Sequence, residues 1–256
     1  TGRFPDPNSI FELILSNIKQ NQILSNQFKD ISILITAGPT IEAIDPIRFV
    51  SNNSSGKQGF EIASELTKRG AKVTLISGPV SIPFPNCENI IQVKTAQEML
   101  DSVSQQLPSD ILICSAAVAD WKLIPKTKSN SKIETNTKIK KTNEKLLFET
   151  LKNPDILETI SKSNLRPKIV IGFSAETDNL KKNAYSKLIS KNVDLIVAND
   201  VSNGKVFGED YNKVCLIEKN NCEEWETQSK KSVAFNLVNK INDLLTNYNQ
   251  RGIYAK

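Results

Sequence analysis

No histidine occurs among the 256 residues, which excludes a Ser-His-Asp or Cys-His site and most zinc chemistry. Chemistry falls instead to lysine, arginine, carboxylate, amide and backbone groups, with a bound Mg2+ as a further source of positive charge. Such groups gather first in residues 36–59, TAGPTIEAIDPIRFVSNNSSGKQG, which hold Arg48, Asn52 and the small-residue run Ser54-Ser55-Gly56. A guanidinium fork pairs bidentately with an oxyanion, and a side-chain amide binds carbonyl or phosphoryl oxygens without adding net charge. Small residues before a helix leave backbone N–H groups open to an anion. A second gathering is cationic. Residues 121–152 hold nine lysines against three glutamates, a local charge of +6 in a chain of net charge +5. A concentrated cationic segment suits a polyanionic ligand; a nucleic acid is the rival, but the segment lacks interleaved aromatics for stacking.

The elements around the first gathering fit an anion site. Ile31 to Thr36 is a short apolar run that reads as a buried strand. Gln58 to Arg69 reads as a helix ended by Gly70. Strand, small polar loop and helix N-terminus together point free N–H groups and the helix dipole at one place. The connection is about 20 residues long, against the usual 2–6 for a strand-to-helix link, which favours function over a plain connection. It contains neither G-x-G-x-x-G nor G-x-x-x-x-G-K-[ST].

Further strands are expected at Ala71 to Ser77, Ile90 to Val93, Asp110 to Ser115, Lys168 to Phe173 and Asp194 to Ala198. Helices are expected after the Thr95-x-x-Glu98 capping box, from Asn153-Pro154-Asp155 with Pro154 near the first turn, over Asp178 to Ser190, and over Ser232 to Leu245. This alternation implies βαβ units and a parallel sheet. Ala116 to Asp120 follows a strand's carboxyl end, where ligands sit in open α/β sheets. Trp121 to Thr150 breaks the rhythm and reads as a mobile flap with an extended piece from Lys138 to Phe148. Asn199 to Asp210 reads as a loop, while Lys213 to Glu218 and Trp225 to Gln228 read as a terminal hairpin. Ser9-x-x-Glu12 reads as the capping box of an entry helix.

No apolar run approaches the ~20 residues of a membrane span, and no charged segment leads into a signal-like apolar stretch. A cytoplasmic protein is the expectation. Cys87, Cys114, Cys215 and Cys222 form no C-x-x-C pair and read as buried or incidental reduced thiols.

Five ordered stretches resemble phosphopantothenoylcysteine synthetase, the phosphopantothenate–cysteine ligase family. They are the 36–59 loop, AAVAD at 116–120, KIKK at 138–141, NPDIL at 153–157, and GFSAET through VDLIVANDVS at 172–202. The resemblance covers roughly Ile31 to Asp210. It implies a Rossmann-like three-layer parallel sheet with a lysine-rich flap and a C-terminal hairpin extension. It also implies amide-bond formation between 4'-phosphopantothenate and L-cysteine through an acyl-cytidylate, with CTP as co-substrate and Mg2+ on the triphosphate. Eukaryotic relatives can use ATP.

Carried over position by position, the resemblance makes Lys138 a contact of the triphosphate and Asn52 the group that handles the acyl-nucleotidylate. Arg48 suits the substrate phosphate, and Ala117 a substrate-contacting backbone position. Ser54, Ser55 and Gly56 would cradle phosphate, beside Ala116. Asp120, Phe173, Lys187, Lys191 and the turn Pro154, Asp155, Ile156 and Leu157 match nucleotide-site positions. No metal ligand is assigned. The chain departs from the family in a longer lysine-rich flap and in Ser174, where alanine is commoner. TGRFPDPNSI resembles the end of the flavin-dependent decarboxylase that precedes this ligase in bifunctional chains. Residues 1–30 are thus expected to be a linker from such a domain and 31–250 the ligase, with no flavin of its own. A homodimer or higher oligomer is implied, with no nucleic-acid or membrane partner. An NAD(P)-binding Rossmann-type oxidoreductase and a nucleotide- or RNA-binding module stay open as alternatives.

Overall fold

The computed structural model describes residues 6–7, 9–12, 14–15, 24–127, 131, 133–141, 145–201 and 209–254. Among them an eight-stranded sheet runs through the molecule. Its first strand, β1 (Ser32–Ala37), lies between β4 (Lys72–Ser77) and β6 (Ile111–Cys114), parallel to both. β5 (Asn89–Gln92) continues past β4, while β9 (Ile169–Glu176) and β10 (Leu195–Asp200) continue past β6, all parallel. β12 (Val214–Ile217) and β13 (Cys222–Glu224) close that edge antiparallel. The chain leaves β1 toward β4 on one side and leaves β6 toward β9 on the other. The crevice beyond the carboxyl ends of β1 and β6 is therefore the switch point at which such sheets bind ligands.

Helices cover both faces, which is why the strands read as near-continuous apolar runs. Ile33, Ile35 and Ala37 of β1 face a core shared with Phe60, Ile62, Ala63 and Leu66 of α1 (Lys57–Lys68) and Val233, Leu237 and Ile241 of α5 (Lys230–Tyr254). Leu34 faces the other core, with Met99 and Val103 of α2 (Ala96–Gln105), Ile156 and Ile160 of α3 (Ile156–Ser161), and Ala184 and Leu188 of α4 (Leu180–Ser190). Each fully buried Leu, Ile, Val or Phe side chain contributes about 1.5–3 kcal/mol, so both layers are anchored. The expected three-layer parallel sheet is the observed one.

Local signals set several boundaries. Thr95 and Glu98 form the expected reciprocal capping box of α2. Arg69, fully buried, bonds Glu65 (2.8 Å), Gln27 (2.8 Å) and Asn239 (2.5 Å) and ties α1 to α5 and to the entry segment. Phe28 is wholly buried in the α1–α5 core, so core packing starts just before Ile31.

Other expectations shift. Ser9 is already helical, and its N–H donates to Asp6 Oδ2 (3.2 Å), so Asp6 caps the entry helix in place of the Ser9 box. Pro154 precedes the cap of α3, because Asp155 accepts the Glu158 N–H (2.9 Å) and is itself the N-cap. The second strand of the terminal hairpin is Cys222–Glu224 rather than Trp225 to Gln228. Gln228 pairs instead in the short ladder of β11 (Tyr211–Asn212) with β14 (Gln228–Ser229). The flap is rooted in a two-stranded antiparallel arm, β7 (Trp121–Lys126) with β8 (Leu147–Lys152). Among the described residues of the expected 138–148 extended piece, Leu147 and Phe148 are strand. Residues 202–208 of the expected loop lie outside the described residues.

Two glycines fix how α1 meets the sheet. Gly56 caps α1 at φ +75°, a backbone that favours glycine. At Gly59 a Cβ would sit 2.7 Å from the Ala37 Cβ and collide with the Ser115 Oγ. Gly59→Ala should therefore push the first turn of α1 off β1 and β6. Overpacking of this kind costs about 1–3 kcal/mol. A drop in the denaturant midpoint at unchanged slope is the expected readout; an unchanged midpoint would show that the helix shifts freely.

Candidate active site

Two cavities open beyond the carboxyl ends of β1, β6 and β9 and share one wall made of Ala116, Val118 and Phe173. The first, of about 400 Å³, is bounded by Asn52, Ser54, Ser55 and Gly56 on one side and Ala116, Ala117 and Phe173 on the other. The second, of about 490 Å³, is bounded by Asp120, Pro154, Asp155, Ile156 and Leu157, with Phe173, Lys187 and Lys191. Residues far apart in the chain thus meet because β6, β9 and the α3 turn end at one rim. Arg48 and Lys138 line neither cavity.

The walls of the first cavity are held by short hydrogen bonds. The Ala117 N–H donates to Gly38 O (2.9 Å), and the Thr40 N–H donates to Ala117 O (3.2 Å). Ser115 Oγ donates to Thr36 O (2.6 Å), and Asn52 Nδ2 donates to Val118 O (2.9 Å). The loop before α1 is thereby laced to the loop after β6. Its β2 (Ile41–Ala43) and β3 (Phe49–Ser51) pair antiparallel, which brings Asn52 back to the rim.

Sequence reasoning missed part of this cavity. Lys57, Gln58, Asn199, Asn212 and Lys230 also line it. Gln58 Nε2 donates to Lys230 O (3.0 Å), and Asn212 Nδ2 donates to Asn199 Oδ1 (3.2 Å). The buried oxygens Gln58 Oε1 and Asn212 Oδ1 accept nothing. Orphaned buried acceptors in a polar cavity mark a place for a donor. Lys230 is buried, and burial together with the nearby Lys57 ammonium pulls its pKa down, against the pull of Asp210 and Glu209. Lys57 follows Gly56 directly, so its place in the loop was a usable signal. Lys230 and Asn212 come from the far end of the chain, with no local signature.

In the second cavity Lys187 and Lys191 each have a fixed anchor. Lys187 Nζ bonds Ser174 Oγ (2.9 Å) and Glu176 Oε1 (2.8 Å), and Ser174 Oγ donates to Glu176 in turn. Burial alone would raise the Glu176 carboxyl, but the bonds from Lys187 and Ser174 outweigh it and hold it below the usual range. Lys191 Nζ bonds Asp155 Oδ2 (2.6 Å). Asn153 ties the α3 turn to the loop after β6, through its N–H to Asp120 O (2.9 Å) and Nδ2 to Ala119 O (2.8 Å). Cys114 also lines this cavity, but burial pushes its thiol up to about 12, so it stays protonated at neutral pH. Ser174→Ala removes one partner from a buried carboxylate and a lysine that keep each other. The expected cost is about 1 kcal/mol, or a melting temperature lower by about 2–4 °C for a domain of this size. A thermal melt checks this; an unchanged melting temperature would show that the Lys187–Glu176 pair holds without Ser174.

Arg48 lies elsewhere, bonded to Ile139, the residue after Lys138. Buried Asp45 accepts the Ile47 N–H (2.9 Å), the Arg48 N–H (2.8 Å) and Arg48 Nε (2.9 Å). The Arg48 guanidinium beside Asp45 holds that carboxyl well below the usual range. The Ile139 N–H also donates to Asp45 (3.2 Å), and Arg48 Nη2 donates to Ile139 O (2.8 Å). The flap is thus docked on the 36–59 loop next to exposed Lys138. Among the described residues no group of three or more acidic or cysteine side chains could hold a metal.

The sequence profile for the DNA/pantothenate metabolism flavoprotein C-terminal domain matches residues 28–245. The coenzyme A biosynthesis bifunctional protein CoaBC of Haemophilus influenzae is 41% identical over 241 residues, covering 94% of this chain and 57% of that protein. The CoaBC of Borreliella burgdorferi is 43% identical over 235 residues, covering 91% of this chain and 57% of that protein. The chain thus spans less than two thirds of these curated relatives. A crystal structure of the C-terminal domain of a CoaBC protein superposes with a TM-score of 0.71 at 35% identity, covering 87% of this chain and 99% of that one. A profile that runs through both cavities and both cores, with a solved domain matched along its whole length, places this chain in the DNA/pantothenate metabolism flavoprotein C-terminal domain family.

Proposed function

We propose that this chain is a phosphopantothenate–cysteine ligase that activates 4'-phosphopantothenate with CTP and then joins it to L-cysteine. The observation that carries the reading is the pair of cavities with a common wall. One has a helix N-terminus, small residues and buried lysine; the other has an aromatic side chain, a carboxylate and two anchored lysines. A nucleoside triphosphate needs both kinds of surface at once.

In this reading the base and ribose lie in the second cavity, with Phe173 against the base and Asp120 on a polar edge. Lys187 and Lys191 face the phosphates. The triphosphate crosses the wall at Ala116 toward Ser54, Ser55 and Gly56, where the amides before α1 and the ammonium groups of Lys57 and Lys230 offset its charge. Lys230 gains most from such an anion, because burial penalises its charged form and the nearby Lys57 ammonium adds to that penalty. The substrate carboxylate attacks the α-phosphorus and displaces pyrophosphate. The amine of cysteine then attacks the acyl carbon and releases CMP. Neither step needs a histidine, since positioning and charge stabilisation supply most of the catalysis. Asn52 offers an amide to the mixed anhydride, and Lys138 arrives on the flap as charge develops.

Mg2+ bound to the triphosphate would neutralise part of its charge. The chain offers no carboxylate cage among the described residues, but the hard oxygens Gln58 Oε1 and Asn212 Oδ1 suit the waters of such an ion. A homodimer is part of the proposal. Trp121, Leu147, Phe148 and Leu151 stand exposed on the β7–β8 arm, an apolar face suited to the dimer contact.

Calorimetric titration with CTP, ATP, NADPH and an oligonucleotide tests the site. Saturable binding tightest for CTP is expected. Tighter binding of NADPH or of the oligonucleotide would overturn the reading.

A further inference from the structure

The sheet edge farthest from β5 carries two thiols that the ligase reading does not use. Pairing of β12 with β13 sets Ile217 opposite Cys222 and Cys215 opposite Glu224. Successive pairs two residues apart share a face of a ladder, so Cys215, Ile217, Cys222 and Glu224 lie together. Cys215 and Ile217 pack with Ala184 and Leu188 in one core, so this face looks at α4. The two Sγ atoms are 3.3 Å apart. Cys215 is buried and Cys222 exposed, so one sulfur meets solvent while the other backs it.

Two cavities flank the pair. One, of about 460 Å³, reaches Cys215, and the other, of about 540 Å³, reaches Cys222; Lys181 and Lys182 line both. Lys213 adds to the first and Lys219 to the second. Lys181 is bonded to Glu224 and Glu218 to Lys240, so Lys182, Lys213 and Lys219 outnumber Asp200, the other carboxylate of the two cavities, and give this face a cationic rim. Such a rim favours a small molecule with carboxylates on both sides of its reactive bond.

We propose that Cys215 and Cys222 are a dithiol modification site that reacts with carboxylate-bearing low-molecular-weight disulfides and closes to an intramolecular disulfide. The exposed Cys222 thiolate attacks one sulfur of the disulfide; a Cys222–S–S–R bond forms, the S–S bond of the reagent breaks, and R–S⁻ leaves. Cys215 then attacks the Cys222 sulfur, the second R–S⁻ leaves, and the Cys215–Cys222 bond forms. The protein loses two electrons and two protons, and the reagent is reduced to two thiols. Burial, and then Cys222 beside it, push the Cys215 thiol up to about 12, which assigns the first attack to Cys222. Once Cys222 is in a mixed disulfide, its part of the opposition to a Cys215 thiolate is gone. This site stands apart from the ligase cavities and does not rest on the ligase reading.

The test treats the full chain with cystine, quenches in acid, and reads intact mass and mapped peptides. The expected product has lost the mass of two hydrogens, with 215 and 222 in one cross-linked peptide. Cys215→Ala should stop at one cysteinyl adduct on Cys222, and Cys222→Ser should leave position 215 unmodified. Circular dichroism verifies that each variant is folded, and the wild-type peptide map decides the matter if Cys215→Ala is not. A wild-type chain that keeps a stable cysteinyl adduct, links other cysteines, or does not react at 215 and 222 would overturn the proposal.

Discussion

Lys138→Gln slows pyrophosphate release by about 10²–10³-fold, the usual loss when one preorganised charge is removed from a developing anion. Binding of CTP changes far less. Lys138 is exposed and lines neither cavity, so it adds little to the resting complex. Its neighbour Ile139 is bonded to Asp45 and Arg48, which holds the lysine at the mouth of the 36–59 loop. In the proposed mechanism, movement of the flap, or approach of a second subunit, would bring the ammonium to the triphosphate and exclude water. The loss should therefore appear in the rate of the first half-reaction at saturating CTP. A near-normal rate would remove Lys138 from the mechanism, and an equal loss in CTP affinity would make it a plain binding residue.

Asn52→Asp acts on the other half. The amide now donates to Val118 O (2.9 Å) and looks into the first cavity. A carboxylate there would face a carbonyl oxygen and an anionic acyl-cytidylate, with no proton to offer either. We expect a retained burst of pyrophosphate but cysteine-dependent CMP release slower by about 10²-fold, with an intermediate that can be trapped. Quenched-flow separation of the two products checks this. A joint fall in both would give Asn52 a general binding role.

Much of this frame was legible before any coordinates, for identifiable reasons. Strands buried on both faces are apolar throughout, so Ile31 to Thr36 stands out; α2 carries its own reciprocal cap in Thr95 and Glu98. The loop before α1 is visible because Gly56 and Gly59 are demanded by φ and by the closeness of Ala37. Where reading failed, the deciding partner was distant or a stronger local rival was present. Asp6 outcompetes Ser9 as a cap. Ladder register, which composition does not encode, ends the hairpin at Glu224 and brings Cys215 to Cys222. Lys230 and Asn212 join the first cavity only because α5 packs against α1 and β11 against α5. Arg48 was legible as an oxyanion ligand by type, yet Asp45 three residues earlier holds its guanidinium.

The central claim is that the two cavities serve one carboxylate activation followed by one amide-forming step. Product release from CTP, with 4'-phosphopantothenate and L-cysteine added singly and together, tests it most directly. The account predicts pyrophosphate with 4'-phosphopantothenate alone, CMP only when cysteine is added, and slower turnover with ATP. Pyrophosphate released without 4'-phosphopantothenate, or ATP turnover equal to or faster than that with CTP, would contradict it.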